Sequence, residues 1–284
     1  MRVLVLGANG QLGRQFNAQK NSFDELLLAP RQSLDILDFS QAEKILKTHK
    51  ADVVINCAAY TDVVGAEKNR KQAYAVNHSG VGNLADICHD VGTKLIHIST
   101  DSVFDGRKMT AYIETDNAQP LNEYSKSKWA GEQVMLQKNS DTSSVVRVSW
   151  LYSNFGNNFY EKILSKSMTE DELKIVNDQV STPTYARGLV EFISNALIYT
   201  NHDGCELFHY SDFGEASWYD FAKEIVKLSG GRSKVTPIST TQFSAPVLRP
   251  KYTVLSHQKV VKKFDYLMTH WKENLERCLY DRKH

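Results

Sequence analysis

The sequence predicts an α/β protein with a doubly wound parallel sheet and a smaller C-terminal lobe. Over the first 150 residues, short apolar segments typical of buried strands alternate with longer segments of helical periodicity. This alternation is the pattern of a parallel sheet that carries helices on both faces. It loosens after Trp150, where we find no repeat, low-complexity tract or flexible linker. We therefore expect a first domain over residues 1–150 and a lobe over residues 151–284, with some segments of the lobe packed back on the sheet.

Strands are predicted where an apolar run ends in a polar or glycine-rich turn, and helices where apolar residues recur with helical spacing. Ser40 and Ser217 are the expected N-caps of two helices, and Gly230 is expected to end one of them. The predicted strands cover residues 1–6, 25–29, 51–59, 94–98, 144–148, 174–176 and 206–210. The predicted helices cover a segment that ends at residue 47 and residues 67–90, 123–138, 186–199, 218–228 and 267–280.

The composition is that of an ordinary globular protein. Hydrophobic residues make up 42% and charged residues 24% of the 284 residues, and the formal net charge is +1 with no basic block. No apolar run is long enough to span a bilayer, and the first strand starts at residue 2, which leaves no room for a signal peptide. The four cysteines have neither metal-site nor disulfide-like spacing. We expect a cytoplasmic enzyme that binds neither nucleic acid nor membranes and uses no catalytic metal.

The first strand leads into a glycine turn that is typical of dinucleotide-binding proteins. Glycines stand at positions 7, 10 and 13 of the segment Gly-Ala-Asn-Gly-Gln-Leu-Gly, which then opens a helix. Their spacing suits a tight turn, a close approach of the backbone to a pyrophosphate, and close packing of helix on strand. The helix N-terminus offers free N–H groups to the phosphates. A simple turn is the alternative, but the strand–turn–helix context favours a Rossmann-like cofactor site that uses Gly7, Asn9, Gly10, Gln11, Leu12 and Gly13.

Further cofactor contacts are expected at the ends of the next strands, because ligands of such sheets bind outside the carboxyl ends of the strands. The second strand is followed by Arg31 rather than by the acidic residue that holds the ribose 2′-hydroxyl of NAD. An arginine suits the 2′-phosphate of NADP, so we expect NADPH, with NADH as the alternative if Arg31 is only a solvated loop residue. The other expected cofactor contacts are Asp35, Ile36, Ala58, Ala59, Tyr60, Asn77, Ser99 and Trp150.

Tyr124 and Lys128 are the candidate catalytic pair. They lie four residues apart in a predicted helix, so both side chains point to the same face. A phenol loses its proton at about pH 10, and a neighbouring ammonium is expected to lower the pKa of Tyr124 and make it a better proton donor. Such a pair alone is common on helix surfaces. Its weight comes from the glycine turn and from the Ser-Thr-Asp segment after the fourth strand, which supplies Thr100 to a carbonyl-reducing site.

With these motifs, the chain resembles the extended short-chain dehydrogenase/reductase superfamily and, within it, the dTDP-4-dehydrorhamnose reductase family. The similarity extends over nearly the whole length, and its Ala-Ala-Tyr-Thr, Ser-Thr-Asp and Asp-Gln…Pro-Thr segments are more specific than the glycine turn. The resemblance implies that Tyr124 is the proton donor, that Lys128 is its partner and binds the nicotinamide ribose, and that Thr100 orients the substrate carbonyl. It also implies a substrate-binding lobe and a nucleotide-sugar pocket formed by Thr61, Val63, Thr100, Ser102, Trp150 and Arg249, with Arg249 at the diphosphate.

Two residues near the expected sugar pocket depart from the family pattern. Ser102 stands where the family has a tyrosine, and Val64 stands where it has an acidic residue. Neither change removes a group needed for hydride transfer. We expect Ser102 to leave the pocket roomier at that wall, so the choice of sugar is left open.

The resemblance implies reduction by NADPH or NADH of the C4 ketone of a dTDP-linked 6-deoxy-4-ketohexose. The leading product is dTDP-L-rhamnose for surface polysaccharide. A nucleotide-sugar epimerase or dehydratase is an alternative on the same scaffold. A non-catalytic regulator that resembles the β subunit of methionine adenosyltransferase is an alternative from another class, which fold alone does not exclude. A homodimer is compatible with the family.

Overall fold

The computed structural model describes residues 1–138, 143–201 and 203–283. Within these ranges, six parallel strands form a central sheet, and three two-stranded sheets follow in the second half of the chain. The strands are β1 (Arg2–Leu6), β2 (Glu25–Ala29), β3 (Val53–Asn56), β4 (Lys94–Thr100), β5 (Ser144–Val148), β6 (Leu151–Tyr152), β7 (Glu172–Val176), β8 (Val180–Ser181), β9 (Thr184–Tyr185), β10 (Glu206–Tyr210), β11 (Ala216–Ser217) and β12 (Lys234–Ile238).

The central sheet has the order β2-β1-β3-β4-β5-β10, and all its neighbouring pairs are parallel. Strand β2 lies on one side of β1 and β3 on the other, so the topology switches direction between β1 and β3. In such sheets ligands bind at this point, outside the carboxyl ends of the strands. The predicted doubly wound α/β fold is confirmed. Strand β10 joins the sheet beside β5, although it belongs to the second half of the chain.

Helices cover both faces of the sheet. They are α1 (Gln11–Ala18), α2 (Phe39–His49), α3 (Val63–Lys68), α4 (Arg70–Tyr74), α5 (Gly80–Asp90), α6 (Glu123–Lys138), α7 (Phe159–Ser167), α8 (Ala186–Asn195), α9 (Trp218–Ser229), α10 (Thr240–Phe243), α11 (Gln258–Phe264) and α12 (Trp271–Lys283). Within the described ranges, none of these helices combines the length and the apolar character needed to cross a membrane.

The alternation of side chains along β1 explains the two helical layers. Val3 and Val5 belong to the core shared with α1 and α8. Leu4 and Leu6 belong to the opposite core, shared with α2, α5 and α6. Successive side chains of a strand point to opposite faces, so a strand buried on both faces is apolar at every position. A third core, which includes Tyr152, holds α7, α9 and α12 together in the second half.

Several predicted bounds differ from the structure. Asp38 caps α2, accepting the N–H of Gln41 at 2.9 Å, so the predicted cap at Ser40 is wrong. The last helix begins at Trp271 instead of residue 267. Strand β3 ends at Asn56, because residues 57–60 continue without regular structure along the carboxyl edge of the sheet.

The single helix predicted over residues 67–90 is interrupted. Asn69 separates α3 from α4, and the segment Ala75–Ser79 forms one turn of π-helix before α5. Such turns cluster at functional sites. By contrast, Ser217 caps α9 in a capping box with Asp220, and Gly230 ends that helix with φ +71°, as predicted.

Candidate active site

A cleft of about 730 Å³ opens at the carboxyl ends of the central strands. Both halves of the chain form its wall: the glycine turn, the ends of β3, β4 and β5, helix α6, and segments around residues 156–159, 179, 218 and 249–253. The predicted site residues that the structure brings together in this wall are Asn9, Gly10, Gln11, Leu12, Ala59, Thr61, Val63, Ser99, Thr100, Ser102, Tyr124, Lys128, Trp150 and Arg249.

The glycine turn has the conformation that a pyrophosphate site requires. Gly7 has φ +70°, and a Cβ there would lie 2.7 Å from the nitrogen of Ala58. A Cβ at Gly13 would lie 2.5 Å from the Cα of Ala8, so only glycine allows helix and strand to pack this closely. At Gly10, which precedes α1, no side chain caps the helix. Free N–H groups beside a backbone without obstructing side chains fit the pyrophosphate of a dinucleotide.

Asn77 and Arg31 are predicted cofactor residues whose side chains bind other parts of the protein. Asn77 is fully buried; its Oδ1 accepts the N–H of Tyr60 at 2.9 Å, and its Nδ2 donates to the Tyr60 carbonyl at 3.0 Å and to Ser127 Oγ at 2.9 Å. The side chain of Arg31 is 68% exposed, and its Nε pairs with Asp35 at 3.0 Å. The structure places these predicted residues outside the described wall of the cleft: Gly7, Gly13, Arg31, Asp35, Ile36, Ala58, Tyr60 and Asn77.

Thr100, Tyr124 and Lys128 lie together in the cleft wall. Thr100 is the last residue of β4, and Tyr124 and Lys128 are one turn apart on α6. The Lys128 Nζ donates to the carbonyl of Ile98 at 2.6 Å. Burial lowers the pKa of Lys128 to about 8, against the opposing charge of Glu132. Lys128 therefore exchanges its proton close to neutral pH, unlike an exposed lysine.

The pKa of Tyr124 is raised to about 12, by burial first and then by the negative charge of Asp101. A hydrogen bond with Thr100 and the positive charge of Arg249 act in the opposite direction. The prediction that Lys128 lowers the pKa of this phenol is therefore wrong, because burial dominates and the Lys128 Nζ binds a backbone carbonyl instead. Tyr124 is a protonated donor at neutral pH.

Asp101 connects the end of β4 to the second half of the chain. Its buried carboxylate accepts hydrogen bonds from Thr100 Oγ1 at 3.2 Å, Ser181 Oγ at 3.0 Å and Thr253 Oγ1 at 2.5 Å. Burial raises the pKa of Asp101 to about 6, and the three hydroxyl groups oppose this rise. The carboxylate thus orients the Thr100 hydroxyl.

Ser102 belongs to the cleft wall, and its Oγ lies 2.8 Å from Ser125 Oγ and 3.1 Å from Thr100 Oγ1. The roomier pocket at this wall stays a prediction. Val64 is 42% exposed and lies outside the described wall of the cleft, whereas its neighbour Val63 belongs to that wall. The expectation that Val64 borders the pocket is therefore wrong.

An aromatic wall closes the cleft on the side of the second half. Trp150 stacks on Trp218 with 3.4 Å between ring centroids and 9° between ring planes, and Phe159 lies 4.6 Å from Trp218. Trp150 has φ +40°, a costly conformation for a bulky residue. The Trp218 Nε1 donates to Gln179 Oε1 at 3.2 Å. These rings offer flat apolar surface to a sugar or a base.

A buried ion pair connects β5 to α6. Arg147 Nη2 on β5 lies 2.7 Å from Glu132 Oε2 on α6, and the two side chains are 3% and 0% exposed. Ser99 Oγ donates to the same carboxylate, so this predicted cofactor residue uses its hydroxyl inside the protein. The pair joins α6 to β4 and β5, one turn beyond Lys128.

Part of the cleft wall was not predicted from the sequence. Asp101 and Gln179 belong to the Ser-Thr-Asp and Asp-Gln segments that are specific to the family. Their membership of these segments could have predicted that they line the cleft. Trp218 and Phe159 had no signal beyond their aromatic character. The lining residues that were not predicted are Cys57, Ile98, Asp101, Asn122, Val148, Leu151, Tyr152, Gly156, Asn157, Asn158, Phe159, Gln179, Trp218, Phe221, Pro250 and Thr253.

Comparison with known proteins identifies relatives over the full length. A dTDP-4-keto-6-deoxy-D-glucose reductase of Streptomyces niveus is 35% identical over 258 residues, which are 90% of this chain and 88% of that protein. A dTDP-4-dehydrorhamnose reductase of Sinorhizobium fredii is 34% identical over 288 residues, covering 99% of this chain and 97% of the relative. The crystal structure of dTDP-4-dehydrorhamnose reductase from Bacillus anthracis in complex with NADP has a TM-score of 0.92 and 37% identity, with 99% of each chain covered.

The sequence model of the family described as RmlD substrate binding domain matches residues 1–283. This match includes the glycine turn, the residues at the end of β4, helix α6 and the aromatic wall. The chain therefore belongs to the RmlD substrate binding domain family.

Proposed function

We propose that this protein is a reductase that uses NADPH to reduce the C4 ketone of a dTDP-linked 6-deoxy-4-ketohexose. The leading reaction converts dTDP-4-dehydrorhamnose to dTDP-L-rhamnose for surface polysaccharide. One observation carries the proposal: a single cleft joins a pyrophosphate-binding glycine turn to Thr100, Tyr124 and Lys128. Relatives named dTDP-4-dehydrorhamnose reductase, alignable over nearly the whole chain, support the substrate class.

The catalytic roles follow from where each polar group lies. Bound NADPH supplies the hydride that adds to the C4 carbon. Tyr124 holds its proton at neutral pH and donates it to the oxygen of that carbonyl, so hydride and proton together convert ketone to alcohol. Thr100 donates its hydroxyl hydrogen to Asp101 in this structure, and we propose that the same O–H turns to the carbonyl oxygen when substrate binds. Lys128 contributes positive charge when protonated and so stabilises the developing alkoxide.

Arg249, whose charge also acts on Tyr124, suits a nucleotide diphosphate. Arg249 lies in the wall, and a guanidinium binds phosphate oxygens through paired N–H groups. We assign Thr61, Val63 and Ser102 to the sugar and Trp150 to the aromatic surface against which the substrate packs. These assignments would leave the glycine turn free for the cofactor.

NADPH is the proposed cofactor, with NADH as the weaker alternative. The related reductase from Bacillus anthracis was solved with NADP, and Arg31 lies two residues after the end of β2. Its side chain is exposed and paired only with Asp35, so it is able to turn to a 2′-phosphate. Arg31→Ala should weaken NADPH binding by about 1.5–3 kcal/mol, the contribution of a charged hydrogen bond, and leave NADH binding unchanged. Equal losses for both cofactors would remove Arg31 from the cofactor site.

A second ketosugar is a candidate substrate. The relative from Streptomyces niveus is named for dTDP-4-keto-6-deoxy-D-glucose, and its 35% identity to this chain is close to the 34% of the Sinorhizobium fredii reductase. Purified protein should therefore be assayed with both dTDP-ketosugars and both nicotinamide cofactors, following the nicotinamide absorbance. Oxidation of NADPH by one of them establishes the substrate. Tight binding of cofactor and sugar without oxidation would replace the reductase by the regulatory alternative.

The domain boundary, the compartment and the oligomeric state stay predictions. Within the described residues, Cys57, Cys88 and Cys278 form no disulfide, which suits a reducing compartment. The boundary at residue 150 follows the loss of strand–helix alternation, although β10 returns to the central sheet. Cell fractionation and light scattering would test the cytoplasmic location and a homodimer.

A further inference from the structure

His97 is a buried histidine that the proposed reaction does not use. It lies on β4, three residues before Thr100, and its side chain is fully buried. Its Nδ1 lies 3.1 Å from the amide nitrogen of Asn56, and its Nε2 lies 3.3 Å from the Nζ of Lys128. The ring therefore stands between a strand-end asparagine and the catalytic lysine.

The hydrogen bonds of Asn56 determine where the histidine carries its proton. Asn56 Oδ1 accepts the N–H of Ala58 at 3.1 Å, so its NH₂ group is the part that faces His97. An NH₂ group only donates, so His97 Nδ1 must accept, and the neutral ring carries its proton on Nε2. That N–H points to Lys128 Nζ. An amine accepts this hydrogen bond, whereas an ammonium has three hydrogens and no lone pair.

The opposite tautomer does not remove the conflict. A proton on Nδ1 would face the Asn56 NH₂ group, which again sets donor against donor. A doubly protonated ring would place positive charge beside Lys128 in a fully buried position, and burial together with Lys128 holds the pKa of His97 well below its ordinary value. Each arrangement with a charged Lys128 therefore contains one unfavourable contact. The arrangement with a neutral amine contains none, since Nζ then accepts from His97 and donates to the Ile98 carbonyl.

Other groups around Lys128 come from three elements. Glu132 on α6 favours the charged lysine, and Cys57, which follows β3, acts in the same direction if it ionises. Burial holds the pKa of the Cys57 thiol far above its ordinary value, so it stays neutral. Glu132 is already paired with Arg147. His97 on β4 is thus the neighbour whose hydrogen-bond direction decides between the amine and the ammonium.

We propose that His97 is a positioning residue for Lys128: it holds the lysine nitrogen at the Ile98 carbonyl and favours the uncharged amine. The role rests on the proposed function, because each reduction leaves a Tyr124 phenolate that must regain a proton. A protonated Lys128 that readily releases its proton can pass it to this phenolate through water in the cleft, and the amine then takes up a new proton from the same water. The Asn56–His97 pair adapts Lys128 to this exchange.

The test reverses the hydrogen-bond direction without touching Lys128 or His97. In Asn56→Asp, a carboxylate accepts from Nδ1–H, so Nε2 becomes an acceptor for the lysine ammonium. Protein labelled with ¹³C at the lysine Cε is titrated by NMR without substrate, and Lys128→Arg assigns the signal. We expect the titration midpoint of Lys128 to rise by at least about one pH unit, a tenfold gain in proton affinity. The uncharged variant Asn56→Leu, which removes the NH₂ donor, should raise it as well.

A double variant separates hydrogen-bond direction from simple charge. In a protein that carries His97→Phe, the further substitution Asn56→Asp should raise the Lys128 midpoint by less than half as much as it does in the wild-type background. An equal rise in both backgrounds would mean that the new carboxylate acts by charge alone and would overturn the proposal. An unchanged midpoint in both Asn56 variants would also overturn it. His257→Phe removes another histidine, whose Nε2 lies 2.7 Å from Ser211 Oγ, and should leave the midpoint unchanged.

The two proposals fail in different ways. The titration needs no ketosugar, so absence of turnover in the wild-type protein would defeat the proposed reductase but not the effect of His97 on Lys128. Normal turnover together with an unmoved Lys128 midpoint would defeat only the role of His97. Melting temperatures of all variants show whether each one is folded in the titration.

Discussion

Removing the Trp218 ring should weaken substrate binding more than catalysis. Trp150 lines the cleft with φ +40°, which costs a bulky residue roughly 1–2 kcal/mol. Its face-to-face stack on Trp218, with 3.4 Å between centroids, offsets part of this strain, with the about 0.5–1.5 kcal/mol of an offset or edge-to-face aromatic pair as the upper range. In Trp218→Ala, the Trp150 conformer that faces the substrate loses this support. If substrate binds only that conformer, the apparent affinity falls with its population.

The loss of the stack corresponds to a rise in KM for the nucleotide sugar of about two- to thirteenfold. We expect kcat to stay within about twofold, because Thr100 and Tyr124 belong to other elements, and we expect the KM for NADPH to stay unchanged. The assay is initial-rate kinetics with one substrate saturating at a time.

Trp218→Phe is the matched control, since it retains a ring that can stack but loses the N–H that binds Gln179. It should lie close to the wild type in KM. An unchanged sugar KM in Trp218→Ala would refute the reasoning, as would a fall in kcat as large as the fall in kcat/KM, because the ring would then act in the transition state.

Three further measurements test the site and the core. Tyr124→Phe should lower turnover by about 10²-fold or more, the contribution of a positioned general acid, with NADPH binding nearly unchanged; turnover like that of the wild type would remove Tyr124 from the reaction. Glu132→Gln leaves Arg147 buried without its charged partner and should lower the free energy of unfolding, measured in urea, by about 3–5 kcal/mol. Glu43→Gln, in an exposed ion pair, should change it by less than about 1 kcal/mol. Similar effects of the two substitutions would contradict the burial argument. Asp212 is fully buried, and burial raises its pKa from 3.8 to about 8, so the folded state binds its proton more tightly than the unfolded chain does. The resulting stability is present below pH 3.8 and is lost as the pH rises to about 8. Within this window, the free energy of unfolding of the wild type should fall by about 1.4 kcal/mol per pH unit relative to Asp212→Asn. Parallel plots of unfolding free energy against pH would refute this prediction.

Local patterns in the sequence predicted the framework because each depends on neighbouring residues. Strands β2 and β5 and helix α6 have the predicted bounds. Strand β5 is buried at every position, and its three valines mark it, although Ser144 and Arg147 interrupt the apolar run. The Tyr124–Lys128 spacing placed both side chains in the cleft, since residues four apart share a helix face.

The prediction was weaker where one local signal competed with another. Ser40 and Asp38 are both good helix caps, and the choice depended on which carboxyl or hydroxyl oxygen could reach a free N–H, here that of Gln41. The break at Asn69 in the predicted long helix has no proline or glycine to announce it. Val64 was expected at the pocket, but the start of α3 turns Val63 to the cleft and leaves Val64 exposed.

The sequence by itself determined the α/β framework, the pyrophosphate turn, the positions of Thr100, Tyr124 and Lys128 and the resemblance to a reductase family, because these features depend on local spacing. Only the tertiary structure decided the electrostatics and the far wall of the cleft. The bond from Thr253 to Asp101 spans 152 residues, and the stack of Trp218 on Trp150 depends equally on how the second half packs against the sheet. Burial, too, is a property of the folded chain, and it raises the pKa of Tyr124. Helical spacing alone predicted that Lys128 would lower this pKa, but in the fold the Lys128 Nζ contacts the Ile98 carbonyl and His97.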